Sequence, residues 1–292
     1  MIKNNKELTG FLQQYTGSKN TQSTYSGIIQ RMLSSIGKPL SKIMVEDIKK
    51  YFTSLVNNPV ISNTTKLQHQ IILCSFFQHC KRIDLHSCIY HSKKQPNPIG
   101  LFHIRAKNPV PLDEEKQIVK EHEYQALLNE AKILRDEIIL RILWDTGCRV
   151  GELAQVTIKD INMEKGKFYF HGKGMSGRGE RPRYQNTKMQ NISLIQKYIK
   201  DIGLGPDDKL IGITVSGIQK RLKFLCSRAN IRPLHPHQFK HNYCSRKLLA
   251  GMTSDEVGVR VGTSAEVIRK TYFHIVDMQK SREKYDTDEE WM

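Results

Sequence analysis

The sequence predicts a mainly α-helical chain with one small antiparallel β-sheet, an α+β architecture divided between two domains. Three observations carry this prediction. At 292 residues the chain has room for two domains of ordinary size, roughly 100–200 residues each. Apolar residues recur at helical spacing over most of its length, whereas a strand-like aromatic run is confined to Lys167-Phe168-Tyr169-Phe170. A stretch broken by Pro96, Pro98, Pro109 and Pro111 interrupts the helical texture, as a linker does.

Ser18 is placed to cap a helix carrying Tyr25, Ile28, Ile29, Met32 and Leu33, ended by Gly37 and Pro39. A second helix runs through Val45, Ile48, Phe52 and Leu55. A third follows the polar cap region Ser62-Asn63-Thr64 and buries Ile72, Leu73, Phe76 and Phe77. These helices form an N-terminal domain, residues 1–91. Residues 92–112, SKKQPNPIGLFHIRAKNPVPL, make a semi-extended basic linker. The second domain, 113–285, opens with helices from Glu121 to Ala131 and from Arg135 to Trp144. A β-hairpin region spans Val156 to Tyr184, with the glycine-rich, positively charged loop HGKGMSGRGERPR. After Asn191 the pattern is helical again up to an acidic tail, 286–292. There is no repeat at a fixed period and no glycine-rich phosphate loop.

With 38% hydrophobic and 26% charged residues, the chain can bury a sizeable core, which excludes a disordered tail or a collagen-like repeat. A net charge of +17 points to a polyanionic partner, with nucleic acid foremost. Residues 1–108 hold 15 Lys+Arg against 4 Asp+Glu, and the remainder hold 31 against 25. The smaller half therefore carries most of the excess charge and reads as a DNA-gripping module. No apolar stretch approaches the roughly 18–20 residues needed to span a bilayer, so no membrane association is expected. The start, MIKNNKELTGFLQQYTG, lacks the apolar run of a secretory signal, so a cytoplasmic, reducing location is the default. The six cysteines contain no CxxC pair, and disulfides are not expected there. His79, Cys80, His86, Cys88 and His91 fall within thirteen positions, but structural zinc sites favour tighter paired spacings. Buried thiols and surface imidazoles are the simpler account, and no metal or cofactor is expected.

Four patches stand out: TGCRVGEL at 146–153, HGKG at 171–174, HPHQFKHNYCSRKLLAGM at 235–252 and VGTSAEVIRKTYFHI at 261–275. Each has an ordinary structural explanation alone. Arg149 and Glu152, three apart on a helix, can be a surface ion pair. Lys173 can decorate a hairpin between two turn glycines, His237 can be a satisfied core histidine, and Tyr272 can pack with Ile268 one turn earlier.

Their order and spacing resemble the signature of the tyrosine recombinase (phage integrase) family. That family's first box, TG-x-R-x-x-E-L, is matched by Thr146-Gly147-Cys148-Arg149-Val150-Gly151-Glu152-Leu153. Its hairpin lysine element GKG is matched by Gly172-Lys173-Gly174, and PH-x-x-R-H by Pro236-His237-Gln238-Phe239-Lys240-His241. The last box, LGHSS followed by Y-x-H, is matched by Val261-Gly262-Thr263-Ser264 and Tyr272-Phe273-His274. The resemblance covers roughly residues 115–280 and, more loosely, the N-terminal helices. It implies a two-domain DNA clamp, a site-specific recombinase or integrase that acts on double-stranded DNA. It also implies self-association as a tetramer on two duplexes, docked through a C-terminal segment for which the residues after His274 are the candidates.

The roles it implies obey the physics of cutting DNA without a metal. Tyr272 is the nucleophile, forming a 3′-phosphotyrosyl bond whose retained energy makes ATP unnecessary for rejoining. Arg149 clamps a non-bridging oxygen with its fork of donors. His237 donates to the other oxygen or shuttles a proton, and Lys173 is the general acid for the leaving hydroxyl.

Two positions depart from the family pattern. Lys240 stands where the family has a second arginine, keeping the charge but losing the planar bidentate fork. Thr263 stands where His or Trp is usual, and with Glu266 it spells a capping box opening the tyrosine helix, as Thr253 and Glu256 do one helix earlier. Those two helices, 254–261 and 264–273, also resemble a helix-turn-helix with Arg269 and Lys270 facing a groove. A DNA-binding regulator, or a weakened integrase relative that binds without cutting, is thus the rival. A nicking-closing topoisomerase of the same tyrosine chemistry is a further alternative, against which the helical N-terminal clamp and linker argue.

Overall fold

The computed structural model describes residues 6–16, 19–89, 118–171 and 182–272. The chain divides into two compact units, Met1–Asn108 and Pro109–Met292, and the described parts are mainly helical with one small antiparallel sheet.

The first unit contains α1 (Lys6–Gln13), α2 (Lys19–Ile36), α3 (Val45–Asn57), α4 (Asn63–His79) and α5 (Ile83–Ile89). The helical spacing read in the sequence becomes its core. Ile28, Ile29, Met32, Ile48, Phe52, Ile72, Leu73, Phe76 and Phe77 are all buried in one cluster. The Ser62 hydroxyl accepts the Thr65 N–H at 3.2 Å and starts α4. Two helices escape the sequence reading, α1 and α5. The first reaches the core through Phe11, whose ring meets Phe76 edge-on at 5.5 Å. Arg82 ties the start of α5 back to the α2–α3 connection, donating to the Leu40 and Ile43 carbonyls at 2.9 and 2.7 Å. Ser18, the side chain of Cys88, His91 and the basic linker lie outside the described residues. His79 is held by Gln14 at 2.6 Å, and among the described residues no three His, Cys, Asp or Glu side chains are grouped to hold a metal ion. Nor, among them, is any helix long and apolar enough to cross a membrane.

The second unit runs α6 (Glu121–Glu130), α7 (Leu134–Thr146), the one-turn α8 (Val150–Leu153), β1 (Ile161–Asn162), β2 (Lys167–Phe170), β3 (Arg183–Asn186), α9 (Met189–Ile202), α10 (Val215–Arg228), α11 (Pro236–Leu249), α12 (Ser254–Val261) and α13 (Ala265–Thr271). The sheet has order β1-β2-β3, antiparallel throughout. Phe168 and Phe170 point inward from β2, and their partners across the ladder are Gln185 and Arg183. β3 thus turns two polar side chains inward and leaves Tyr184 outside. The helical core gathers around α7, where Trp144 stacks on Tyr124 at 4.1 Å and is covered by the Arg246 guanidinium at 4.3 Å. α12 and α13 sit against α11, burying Val257, Val261 and Ile268 with Tyr243 and Leu248.

Candidate active site

The first piece of the site is the turn between α7 and α8. Gly147 ends α7 in the left-handed region, φ 58°. A Cβ there would stand 2.6 Å from the Tyr243 ring, so both the backbone angle and the space require glycine. The turn makes Arg149 the N-cap of α8 rather than a residue within a helix. Its backbone N–H donates to Glu152 Oε2 at 2.6 Å and its Nη1 to Glu152 Oε1 at 3.0 Å. Nη2 reaches the α12–α13 turn, donating to the Gly262 carbonyl at 2.8 Å and to Thr263 Oγ1 at 3.3 Å. With its side chain 42% exposed, the guanidinium remains open to an anion.

The reading of Arg149 and Glu152 as a surface ion pair is corrected by this geometry. The Glu152 side chain is 6% exposed and is held from the other side by Arg183, whose Nη1 and Nη2 donate to its two oxygens at 2.6 and 2.5 Å. Burial pushes the Glu152 pKa up, but the Arg183 hydrogen bonds and charge, then those of Arg149, outweigh it and hold the carboxyl below the usual range.

The second piece is one face of α11. Pro236 begins the helix and Gln238 accepts the His235 N–H at 2.6 Å. His237, Lys240, His241 and Cys244 follow at i, i+3, i+4 and i+7, which puts them on one face. Lys240, 6% exposed, donates from Nζ to Thr263 Oγ1 at 2.8 Å and to the Val261 carbonyl at 3.2 Å. Burial, then the charge of Arg149, pushes its pKa down to about 8. His237 stands edge-on to His241 at 4.6 Å between ring centroids. Desolvation, then the charges of Lys240 and Arg149, lowers its pKa and favours the neutral imidazole.

Thr263 does not cap α13. The cap is Ser264, whose hydroxyl accepts the Val267 N–H at 3.4 Å, while Glu266 pairs with Lys270 at 2.6 Å. The hydroxyl of Thr263 is committed instead to Arg149 and Lys240, since those tertiary donors outcompete a local cap that the next residue supplies equally well. The Thr253–Glu256 capping box does form. Gly262 closes α12 at φ 61°, and a Cβ on it would lie 3.0 Å from Arg183 Nη1 and 3.4 Å from Arg149 Nη1. The cations assigned to a helix-turn-helix reading already face carboxylates, Lys270 against Glu266 and Arg269 against Asp255 at 3.2 Å.

Tyr272 follows α13. It is 3% exposed, in one cluster with Ile268, Val261, Tyr243 and Cys244, and its hydroxyl is 2.8 Å from His241 Nδ1. Burial, then the neighbouring Cys244, pushes the phenol well above its usual pKa. Burial, then His237 and Lys240, lowers His241 to about 4, so that imidazole is neutral near pH 7. Core packing with Ile268 and a link to the polar site are thus both properties of this tyrosine.

Of the six residues picked from the sequence, five come together here: Arg149, Lys240 and Thr263 in direct hydrogen bonds, His237 and Tyr272 joined through His241. Lys173 lies outside the described residues, as do Phe273, His274 and the tail. The sequence reading missed three members. His241 and Cys244 stand within the quoted patch and one and two turns along the face from His237. Arg183, last residue of the quoted loop, carried no local signal.

Comparison with known proteins identifies the family. Residues 117–278 match the phage integrase family, and residues 6–87 match the phage integrase N-terminal SAM-like domain. The tyrosine recombinase XerA of Saccharolobus solfataricus is 25% identical over 258 residues, covering 88% of this chain and 82% of that protein. A tyrosine recombinase of Thermosipho africanus is 24% identical over 276 residues, 90% of this chain and 91% of that one. Among solved structures, XerH site-specific recombinase bound to its difH substrate in a pre-cleavage complex superposes with a TM-score of 0.63 at 18% identity, covering 89% of this chain and 79% of that one. The Tn1549 transposon integrase in complex with transposon right-end DNA gives 0.63 at 16% identity, with 95% and 98% covered. With more than half its length matched by the family model, the chain belongs to the phage integrase family of tyrosine recombinases.

Proposed function

We propose that this chain is a site-specific DNA recombinase that cuts and rejoins double-stranded DNA through a 3′-phosphotyrosyl intermediate. The observation that carries the reading is the convergence of Arg149 and Lys240 on Thr263, beside a helix face that leads through His237 and His241 to the Tyr272 hydroxyl. The Tyr272 oxygen attacks the scissile phosphorus as the bond to the 5′ oxygen breaks, its proton passing to the neutral His241 imidazole, whose Nδ1 lies 2.8 Å from the hydroxyl. Arg149, Lys240 and His237 supply fixed donors to the phosphoryl oxygens as charge builds on them, the kind of preorganisation that usually contributes most to rate. Lys173 delivers a proton to the departing 5′ oxygen. Thr263 acts as a tether that holds the ammonium and the guanidinium in register, in place of a direct phosphate contact. Because the covalent link conserves the phosphodiester energy, the reverse attack by a 5′-hydroxyl rejoins the strand without ATP.

The more basic N-terminal unit grips the duplex and the second unit does the chemistry, together forming a clamp. A tetramer on two duplexes, docked through the residues after His274, provides the partner strand. Covalent trapping tests the reading: labelled, nicked fragments from the region flanking the gene are incubated without metal or ATP and run on a denaturing gel. A shifted band absent from Tyr272→Phe is the expected result. Fragments that bind in a native gel yet yield no adduct would put the DNA-binding, non-cutting reading ahead.

A further inference from the structure

Two arginines share Glu152, and the mechanism above uses one of them. Arg183 enters from β3, in an inward slot opposite Phe170, with its guanidinium 5.4 Å from that ring's centroid. It is 7% exposed, and its Nε has no hydrogen-bond partner among the described residues. Desolvating a guanidinium is costly, and packing against Phe170 alone would be served by an apolar side chain. What the arginine adds is charge. Both of its terminal nitrogens face the carboxylate that also holds Arg149 at 3.0 Å, and both arginines flank Gly262.

We propose that Arg183 is a positioning residue for the phosphate site: it neutralises Glu152, so that the charge of Arg149 stays available to the scissile phosphate. The inference rests on the recombinase reading. With Arg183 present, the Arg149–Glu152–Arg183 group carries one net positive charge. Without it, Glu152 meets the charge of Arg149 in full, in a half-buried setting where such a pair is weakly screened. The effect extends to Lys240, whose ammonium feels Arg183 and Glu152 with opposite signs. Glu152 therefore orients Arg149 while Arg183 prevents that carboxylate from cancelling it, and the position held by Lys240 needs to supply only a point charge.

The test compares full-length wild type, Arg183→Met and the double variant Glu152→Gln with Arg183→Met, using Tyr272→Phe as the blank. Removing Arg183 alone is expected to slow adduct formation on the nicked fragments roughly 100-fold, the scale of one lost transition-state donor. Removing both charges restores the net positive charge and is expected to bring the rate back to within about 10-fold of wild type. Orthovanadate, titrated against the melting temperature, provides an arm that needs no cleavage: its apparent affinity should fall in the single variant and recover in the double. A double variant that melts cooperatively yet cleaves and binds vanadate as poorly as the single one overturns the proposal, as does a single variant indistinguishable from wild type. Should Arg183→Met fail to fold, the double variant alone decides, because a packing role or a direct phosphate contact leaves it slow. Absence of an adduct in wild type would sink the recombinase reading while leaving the vanadate arm to judge Arg183.

Discussion

Replacing Lys240 by methionine removes a buried ammonium whose pKa the fold lowers from 10.5 to about 8. That difference fixes how stability must change with pH. Below the folded value the lysine is protonated in both states, and above the unfolded value it is neutral in both. Between them the unfolded chain binds a proton that the folded chain does not, so wild-type stability rises with pH across this window. At about 1.4 kcal/mol per unit, the rise amounts to roughly 3 kcal/mol. Lys240→Met has no such group, so the wild-type stability minus that of the variant should increase by roughly 3 kcal/mol between about pH 7.5 and 10.5. Urea unfolding followed by tryptophan fluorescence reads it, because Trp144 stacks on Tyr124 in the core of the second unit. Other groups titrating near pH 10 are common to both proteins and cancel in the difference. A difference that stays flat within about 1 kcal/mol would refute the buried, charge-crowded placement of Lys240 against Arg149 and Thr263.

His241, lowered to about 4, gives the acid counterpart. Stability should be lost as pH falls from about 6.5 to 4, by roughly 3 kcal/mol more in wild type than in His241→Asn, with equal acid loss in both as the contrary result. For Gly147→Ala, the left-handed φ and the Tyr243 ring at 2.6 Å predict destabilisation of roughly 2–4 kcal/mol. A melting curve unmoved by that substitution would mean the turn is built otherwise. In the trapping assay Lys240→Ala should abolish the adduct and Lys240→Arg should retain it, and equal activity of Lys240→Ala and wild type would remove Lys240 from its assigned role. Binding to duplex DNA, measured by anisotropy, should weaken steeply with salt, as a chain of net charge +17 demands. A shallow slope would count against the basic surface as the grip.

Where one physical effect dominates, sequence and structure coincide. The α2, α3 and α4 cores were legible because Ile28 and Met32, Ile48 and Phe52, and Ile72 and Phe76 recur at helical spacing and burial follows the repeat. Glu152 illustrates the opposite case. Its spacing from Arg149 describes an exposed helical pair, but that rule presumes a helix with a solvent face. Here α8 is a single turn, and the partner that buries Glu152 comes from a strand 31 residues on. Arg183 itself was hidden by alternation: in Arg183-Tyr184-Gln185-Asn186 the tyrosine looks like the inward residue, whereas pairing with Phe168 and Phe170 turns Arg183 and Gln185 inward. Thr263 was misread for a related reason, since Thr263 and Ser264 both suit an N-cap and only the distant Lys240 and Arg149 choose between them. The ordered boxes were legible despite these errors because they combine both kinds of constraint: Gly147 and Gly262 are fixed by left-handed turns, and Arg149 and Lys240 by the turn on which both converge.

The burial of Tyr272 bears on how such a site would be controlled. A phenol at 3% exposure cannot reach a phosphate in a DNA backbone without leaving its pocket. Drawing an aromatic side chain from an apolar setting costs roughly 1.5–3 kcal/mol, and its hydrogen bond to neutral His241 adds about 1 kcal/mol. The free protein would thus hold the Tyr272 hydroxyl sheathed in all but a small fraction of molecules, and the sheath also makes the phenol a poor acid. On the proposed reading, an anion docked on Arg149 and Lys240 would act on both conditions together. Both cations are bonded to Thr263 and to the carbonyls of Val261 and Gly262, so a phosphate that draws them pulls on the turn from which α13 and Tyr272 hang. On the proposed reading, the cations that would bind the phosphate are therefore the ones that hold the turn before Tyr272, so exposing the tyrosine would be thermodynamically linked to occupying the site.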